Sequence, residues 1–471
     1  MKTTHVKSLV ILALTLPALS ACAAAPPTAA PGGGAAQPAQ AATSAPSQPA
    51  ATSAPASAES SASAPCAITP PTAKVTINYL GWPVTLMDAY AKEMQKCGVG
   101  NLTINVRSLN NSAAVQQMQL AFSGGGTSPY DIVQMSNSSI AKIGGLGGWL
   151  LPLNDLVEKY RAKYNLNDIP KSAWDAATFN GKILGIPVDA NTLHLMYRTD
   201  LFAKYNLKAP TNYDEVIAAC QALKAEKGLT VPFATDLSAG WAWDIEFFHF
   251  LQSYGGKYLN ADNTPGFNTQ AGVDALTKLK EVVDGCMGKD GLSLGSDAMV
   301  SGMQNGTIGF IQTWADLGPA MDDAAKSNFV GKISFAPAAA AKPGGSRASS
   351  TWNDFYAIPA KTAQDPDLLF QLIMEATSQG VQQRLAGQGL VLVARQEALK
   401  APGAFRSSQA ALTSITEGIG PKPNSAAQPL AAAALGNYLP LVGTGELSPK
   451  DALAKAEADY IKEATKQGFL K

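Results

Sequence analysis

Hydrophobic and polar positions divide the chain into three regimes. Leu9 to Leu19 form an apolar run behind Lys2 and Lys7. A bilayer span takes roughly 20 residues, and Pro17 interrupts the run, so it reads as a removable secretion signal over 1–21 and not as an anchor helix. Residues 23–65 are almost wholly Ala, Pro, Ser, Thr, Gly and Gln, with Glu59 as their only charge. Such a stretch has nothing to bury and predicts a disordered tether, part Pro-stiffened and part Gly/Ser-mobile, over residues 22–73. From Lys74 onward, short apolar strands alternate with helical patterns, the mark of α/β layering with mainly parallel sheets.

The first elements are legible one by one. Lys74 to Leu80 alternates with period two and predicts a strand, followed by a helix at Leu86–Lys96, a strand at Leu102–Val106, a helix at Ala113–Phe122 and a strand at Tyr130–Met135. Ser123 to Gly126 and Pro129 stop the second helix, the glycines by permitting a left-handed turn and the proline by refusing to continue. Ligands of wound sheets bind at the carboxyl ends of strands, here Trp82 and Pro83 after the first and Ser136 to Ser138 after the third. A folded part of roughly 400 residues is enough for two domains with sizeable cores.

Composition excludes several classes. The formal charge is zero, and removal of Lys2 and Lys7 with the signal leaves a slightly acidic chain, so no basic field invites nucleic acid. Of five cysteines, Cys22 closes the signal. Cys66 precedes the first strand, Cys97 ends the first helix, and Cys220 and Cys286 fall on later helical segments. The expected bridges are Cys66–Cys97 and Cys220–Cys286; four sites allow three pairings, and free buried thiols are the alternative. His194 and His249, the two histidines beyond the signal, lack metal-ligand spacing, so no metal is expected. Gly291-Leu-Ser-Leu-Gly295 matches a nucleophile-elbow pattern, but no buried strand precedes Ser293 and no histidine follows it. A paired-carboxylate glycosidase leaves no motif of its own, and the long repeated barrel pattern is missing.

Two resemblances give these patterns a meaning. Leu19-Ser20-Ala21-Cys22 resembles the bacterial lipoprotein lipobox, which implies that Cys22 is lipidated and heads the mature chain at a membrane surface. Phe179–Phe202 (FNGKILGIPVDANTLHLMYRTDLF) resembles the hinge crossing of family 1 extracellular solute-binding proteins, the sugar-binding components of ABC importers. Tyr130–Val133, Trp149–Leu153, Pro210–Glu215, Met303–Trp314 and Asn353–Lys361 are similar to further motifs of that family, so the likeness runs from about residue 74 to the end. Departures lie at His194, Arg198, Gln312 and Asn353-Asp354.

The resemblance implies a two-lobed periplasmic-binding-protein (Venus flytrap) fold, type II-like. Lobe one would hold 74–190 plus 356–398 and lobe two 193–350 plus 404–471, with crossings near Asp189–Leu193, Thr351–Phe355 and Leu399–Gly403. It further implies a monomeric, non-enzymatic, cofactor-free receptor in the cell envelope, facing a periplasm or the exterior. Such a receptor captures a mono- or disaccharide or polyol and delivers it to an ABC permease. Sugar rings stack on aromatic faces and their hydroxyls bond carboxylates and amides. The candidate contacts are therefore Trp314 first, then Trp241, Trp243, Trp82 and Trp352, with Asp189, Asn191, Asn137, Asp316, Asn353, Asp354 and Tyr438. Trp149 and Trp174 read as packing, and Arg198 and Arg347 as ion-pair residues. The alternatives are a binder of a polyamine or glycerophosphodiester and a surface lipoprotein enzyme acting on glycans.

Overall fold

The computed structural model describes residues 66–471, apart from 239–240, 391–392, 403, 418–419, 421 and 423–424. The signal, Cys22, the tether up to 65 and Gly403 lie outside the described residues.

Strand β1 (Val75–Gly81) buries Ile77, Tyr79 and Leu80, and helix α1 (Thr85–Lys96) lays Leu86, Met87, Tyr90, Ala91 and Met94 on one side at three- and four-residue spacing. β2 (Leu102–Ser108) follows, then α2 (Asn111–Ser123), whose start is capped by Asn110 Oδ1 accepting from the Ala113 N–H at 2.9 Å. β3 (Ile132–Ser136) is buried throughout and runs straight into the short helix α3 (Asn137–Ile140), where the Ser136 N–H donates to Ser139 Oγ at 2.8 Å. β4 (Thr178–Phe179) and β5 (Lys182–Ile183) form a hairpin whose turn places Asn180 and Gly181 at φ 49° and 75°. The remaining strands are β6 (Ile186–Pro187), β7 (Leu193–Arg198), β8 (Val231–Thr235), β9 (Ile308–Trp314), β10 (Ile333–Pro337) and β11 (Asp354–Ala357).

The strands form two main sheets, in the orders β2-β1-β3-β11-β6 and β10-β7-β9-β8. The expectation of mainly parallel sheets is corrected. β1 is parallel to β2 and β3, and β8 to β9, but β11 is antiparallel to β3 and β6, and β7 to β9 and β10. The cause is the chain path: residues 188–192 carry it from β6 in one sheet to β7 in the other, and 349–353 bring it back into β11 against the direction of β3. β9 runs as far as Trp314, held there by its pairing with Leu193.

Both faces of the first sheet are covered, one by a core around Tyr90, Ile186, Tyr356 and Phe370, the other by a core around Met118, Met135 and Phe355. Trp149 and Trp174 pack at the edges of these cores. The second sheet carries the largest core, built with the helices Tyr213–Leu223, Trp241–Ser253, Gln270–Val282, Gln428–Thr444 and Pro449–Lys466. Cys66–Cys97 and Cys220–Cys286 are both bonded, each with Cα atoms 5.3 Å apart. No described helix is long and apolar enough to cross a membrane.

Candidate functional site

Four stretches far apart in sequence meet where the two sheets are joined: 134–137, 189–194, 312–316 and 349–354. Backbone bonds set the frame. Asn191 and Trp352 exchange N–H to C=O bonds at 2.8 and 2.9 Å, the Ala315 N–H donates to the Thr192 carbonyl at 2.9 Å, and the Asn137 N–H donates to the Asn353 carbonyl at 3.2 Å.

Side chains tie the frame together. The Asp354 N–H donates to Asp189 Oδ1, and Asn353 Nδ2 donates to the Asp189 carbonyl at 2.8 Å. Asn137, at the start of α3, donates Nδ2 to the Thr351 carbonyl at 3.2 Å and accepts at Oδ1 from the Asn353 N–H at 3.3 Å. Asn191 Nδ2 donates to Asp316 Oδ1 at 2.9 Å. Gln134 is wholly buried in β3; its Nε2 donates to Asp354 Oδ2 at 2.9 Å, while its Oε1 accepts from the Trp82 N–H at 3.0 Å and the Tyr79 hydroxyl at 3.1 Å. Trp314, half-buried at the end of β9, meets the His249 ring edge-on at 6.1 Å. His249 Nε2 lies 2.8 Å from Ser350 Oγ, and its Nδ1 lies 3.5 Å from Glu246.

Among the described residues, Asn191 Oδ1, Asn353 Oδ1, Asp354 Oδ1, Thr313 Oγ1 and Thr351 Oγ1 are buried with no hydrogen-bond partner in the protein. Each such atom costs about 1–3 kcal/mol when left unpaired. Their concentration at the joint is what a site for a hydroxyl- or amine-bearing solute requires.

Burial, and then the nearby Asp354 and Asp316 charges, push Asp189 well above the usual carboxylate range against the opposing Asp354 N–H bond. Burial pushes Asp354 up to about 7, opposed by the hydrogen bond from Gln134. Asp316 is open to solvent, yet enough protein surrounds it for burial to raise its pKa against the Asn191 bond, as befits a group on a cleft wall. Burial takes His194 down to about 3, so it is neutral at physiological pH and bonds Thr192 Oγ1 at 3.0 Å. These shifts have a sign. A carboxyl whose folded pKa exceeds its unfolded value of about 3.9 keeps its proton in the folded state after the unfolded chain has lost it, so its contribution is fully present below pH ~4 and is lost as pH rises toward its folded pKa. Asp354→Asn keeps an acceptor for Gln134 and removes this loss. Its stability relative to the parent should rise between pH 4.5 and 7.5 in urea unfolding, and a pH-independent difference would show that Asp354 is not desolvated as described.

The structure separates the predicted residues. It brings Asp189, Asn191, Asn137, Asp316, Asn353, Asp354, Trp352 and Trp314 to this joint. The Trp82 side chain is packed in the core, and only its backbone joins the network, through Gln134. Trp243 is a core residue: it is 2 % exposed, and a Cβ at Gly443 would come within 2.5 Å of its ring. Tyr438 turns to Asp459, its hydroxyl donating at 2.7 Å between the last two helices. The Trp241 side chain lies outside the described residues. Arg198 forms a two-pronged pair with Asp200 at 2.7 and 2.6 Å, and Arg347 pairs with Glu417. Gln134 and the Glu246/His249 pair were missed. Their signal was a polar residue inside an apolar strand, IVQMS, and two inside an apolar helix, WAWDIEFFHF.

A cavity of about 370 Å³ borders the same region, beside Thr211, Asn212, Gln252 and the Arg347–Glu417 pair. Its charged groups already satisfy each other, whereas the unpaired atoms of Asn191, Thr313, Thr351, Asn353 and Asp354 sit together at the joint, so the joint is the candidate site. Ser293 is exposed in a turn with its hydroxyl directed to the Asp290 carbonyl at 3.3 Å, and no strand leads into it.

Known proteins share this fold. An uncharacterized ABC transporter extracellular-binding protein of Pyrococcus horikoshii is 27 % identical over 189 residues, which is 39 % of this chain and 43 % of that protein, so the likeness spans under half of the curated relative. Among solved structures, an ABC transporter solute-binding protein of Agrobacterium radiobacter in complex with ribitol matches with a TM-score of 0.70 at 22 % identity, over 84 % of this chain and 100 % of that one. Another, from Agrobacterium vitis with bound D-mannitol, matches with a TM-score of 0.66 at 21 % identity, over 83 % of this chain and 99 % of that one. These share the two-lobed α/β fold. The family model for bacterial extracellular solute-binding proteins matches residues 84–383, and the chain belongs to that family.

Proposed function

We propose that the protein is a lipid-anchored receptor that captures a small carbohydrate or polyol at the joint between its two lobes and hands it to an ABC permease. The observation that carries this reading is the set of buried, unpartnered polar atoms on Asn191, Asn353 and Asp354, flanked by the half-buried rings of Trp314 and Trp352. Polar edges satisfy hydroxyls and aromatic faces take the apolar side of a ring. The ribitol and D-mannitol held by the two fold relatives support a polyhydroxylated solute. A ligand bonded to both lobes only when they are closed would shift the population toward the closed form, through rotation about 188–192 and 349–353. The lipobox-like Leu19–Cys22 and the polar tether after it support an anchor that keeps the receptor beside its membrane partner.

A thermal-shift screen of monosaccharides, disaccharides and alditols, followed by calorimetry, tests the reading. A hit at 100 times its Kd should stabilise the protein by about 2.7 kcal/mol. Silence across the carbohydrates with a strong response to a glycerophosphodiester would replace the solute class, and hydrolysis of a bound saccharide would replace the receptor with an enzyme.

A further inference from the structure

The charge at the joint is one-sided. Asp189, Asp316 and Asp354 belong to one hydrogen-bonded cluster through Asn191, Asn353 and the Asp354 N–H. Among the described residues, none of the three forms an ion pair with a Lys, Arg or His. The nearby cations bond to other groups, and Arg395 keeps a buried Nη2 without a partner. Arg395, two residues beyond the backbone bridge of Asp189 to Val393, directs Nη1 to the Asn165 carbonyl at 3.0 Å and Nε to the Thr377 carbonyl at 3.3 Å. Lys422 is held by Asp244, and His249 lies against Glu246 and Ser350.

The unsatisfied atoms on these residues are also one-sided. Asn191, Asn353 and Asp354 are 8 %, 0 % and 4 % exposed, and each has a side-chain Oδ1 without a partner. Both amide orientations are fixed by their other ends: Asn191 Nδ2 faces a carboxylate and Asn353 Nδ2 faces a carbonyl, neither of which can donate. The Asn191, Asn353 and Asp354 side chains therefore present acceptors, beside three carboxyls that become anionic once ionised and the Thr313 and Thr351 hydroxyls, which can accept or donate. An ammonium brings three donors and no acceptor, and its bonds to carboxylates are charge-assisted, about twice as strong as neutral ones. It also compensates carboxylates that are costly to hold desolvated and unpaired.

We propose that the solute carries a protonated amine, as an amino sugar or aminoalditol does, and that Asp189, Asp316 and Asp354 hold its ammonium against the acceptors of Asn191 and Asn353. This rests on the joint being the site for a carbohydrate-like solute. A neutral solute would leave the acids to resolve their repulsion by keeping protons, and its binding would not gain from their ionisation.

The test is calorimetry at pH 8 on the full protein with matched pairs, sorbitol against 1-amino-1-deoxysorbitol and glucose against glucosamine, plus putrescine. For the alditol pair, whose alkylammonium stays protonated, the amine should bind at least tenfold tighter than its parent, and tighter at pH 8 than at pH 5. Asp316→Asn, at a solvent-open position, should cut the amine preference at least fivefold while leaving the unfolding midpoint near that of the parent. Neutral members binding as tightly as their amines would overturn the ammonium and leave the carbohydrate reading standing. Putrescine binding with silence from every sugar and alditol would keep the ammonium and overturn the carbohydrate reading, and silence from the whole panel would overturn both.

Discussion

Trp314→Ala is expected to weaken binding of the best hit from the carbohydrate screen about 30-fold or more, a loss of about 2 kcal/mol of the kind a central aromatic contact carries. Trp314 is the last residue of β9, pinned by its pairing with Leu193 in β7. Asp316 follows two residues later, and the His249 ring braces the indole edge-on at 6.1 Å. The ring is thus positioned by both the sheet and the helix above it while staying half-buried, which leaves a face for a solute. Trp314→Phe, which keeps an aromatic face, should retain affinity within about tenfold. Calorimetry decides: an alanine variant that binds as tightly as the parent removes Trp314 from the site. The unfolding midpoint should move less than for a wholly buried aromatic such as Phe310, since less of the Trp314 surface leaves water on folding.

The second large effect concerns stability. Cys220, in the helix Tyr213–Leu223, is bonded to Cys286, in the π-helical turn Val283–Met287 that continues the helix Gln270–Val282, across a separation of 66 residues, and both are buried. Closing a loop of that length restricts the unfolded chain by about 4 kcal/mol in the chain-entropy model. Cys220→Ala/Cys286→Ala should lower the unfolding free energy by about that much, measured by urea denaturation, and the parent in reductant, which opens both bridges, should lose more. A decrease below about 1 kcal/mol would mean that the helix and turn stay together in the unfolded chain without the bond. Bridges of this kind persist in an oxidising compartment, in keeping with an extracellular solute-binding family.

Much was readable along the chain. The alternation of KVTINYL, the helical spacing that ends at Lys96 and the Asn180-Gly181 turn are consequences of backbone geometry acting over a few residues, so they were visible in any short window. The cysteine positions and the aromatic end of β9 were likewise visible, because each is a local pattern or a motif. What no window contained was the arrangement. Trp243 and Trp314 both stand among the stacking candidates on paper, with Trp314 first; Trp243 fills the space left open by Gly443, two hundred residues away, and Trp314 stands at the joint. β11 runs against β3 only because the chain has crossed to the other lobe and returned. Gln134 became the link between Trp82 and Asp354 only when that returning strand laid Tyr356 beside it. Periodicity, turn chemistry and family motifs were thus settled by the sequence itself, since they depend on neighbours in the chain. Which carboxyls lie together without a cation, and which polar atoms are left unpaired, was decided by tertiary structure alone, since burial and electrostatic pairing depend on neighbours in space.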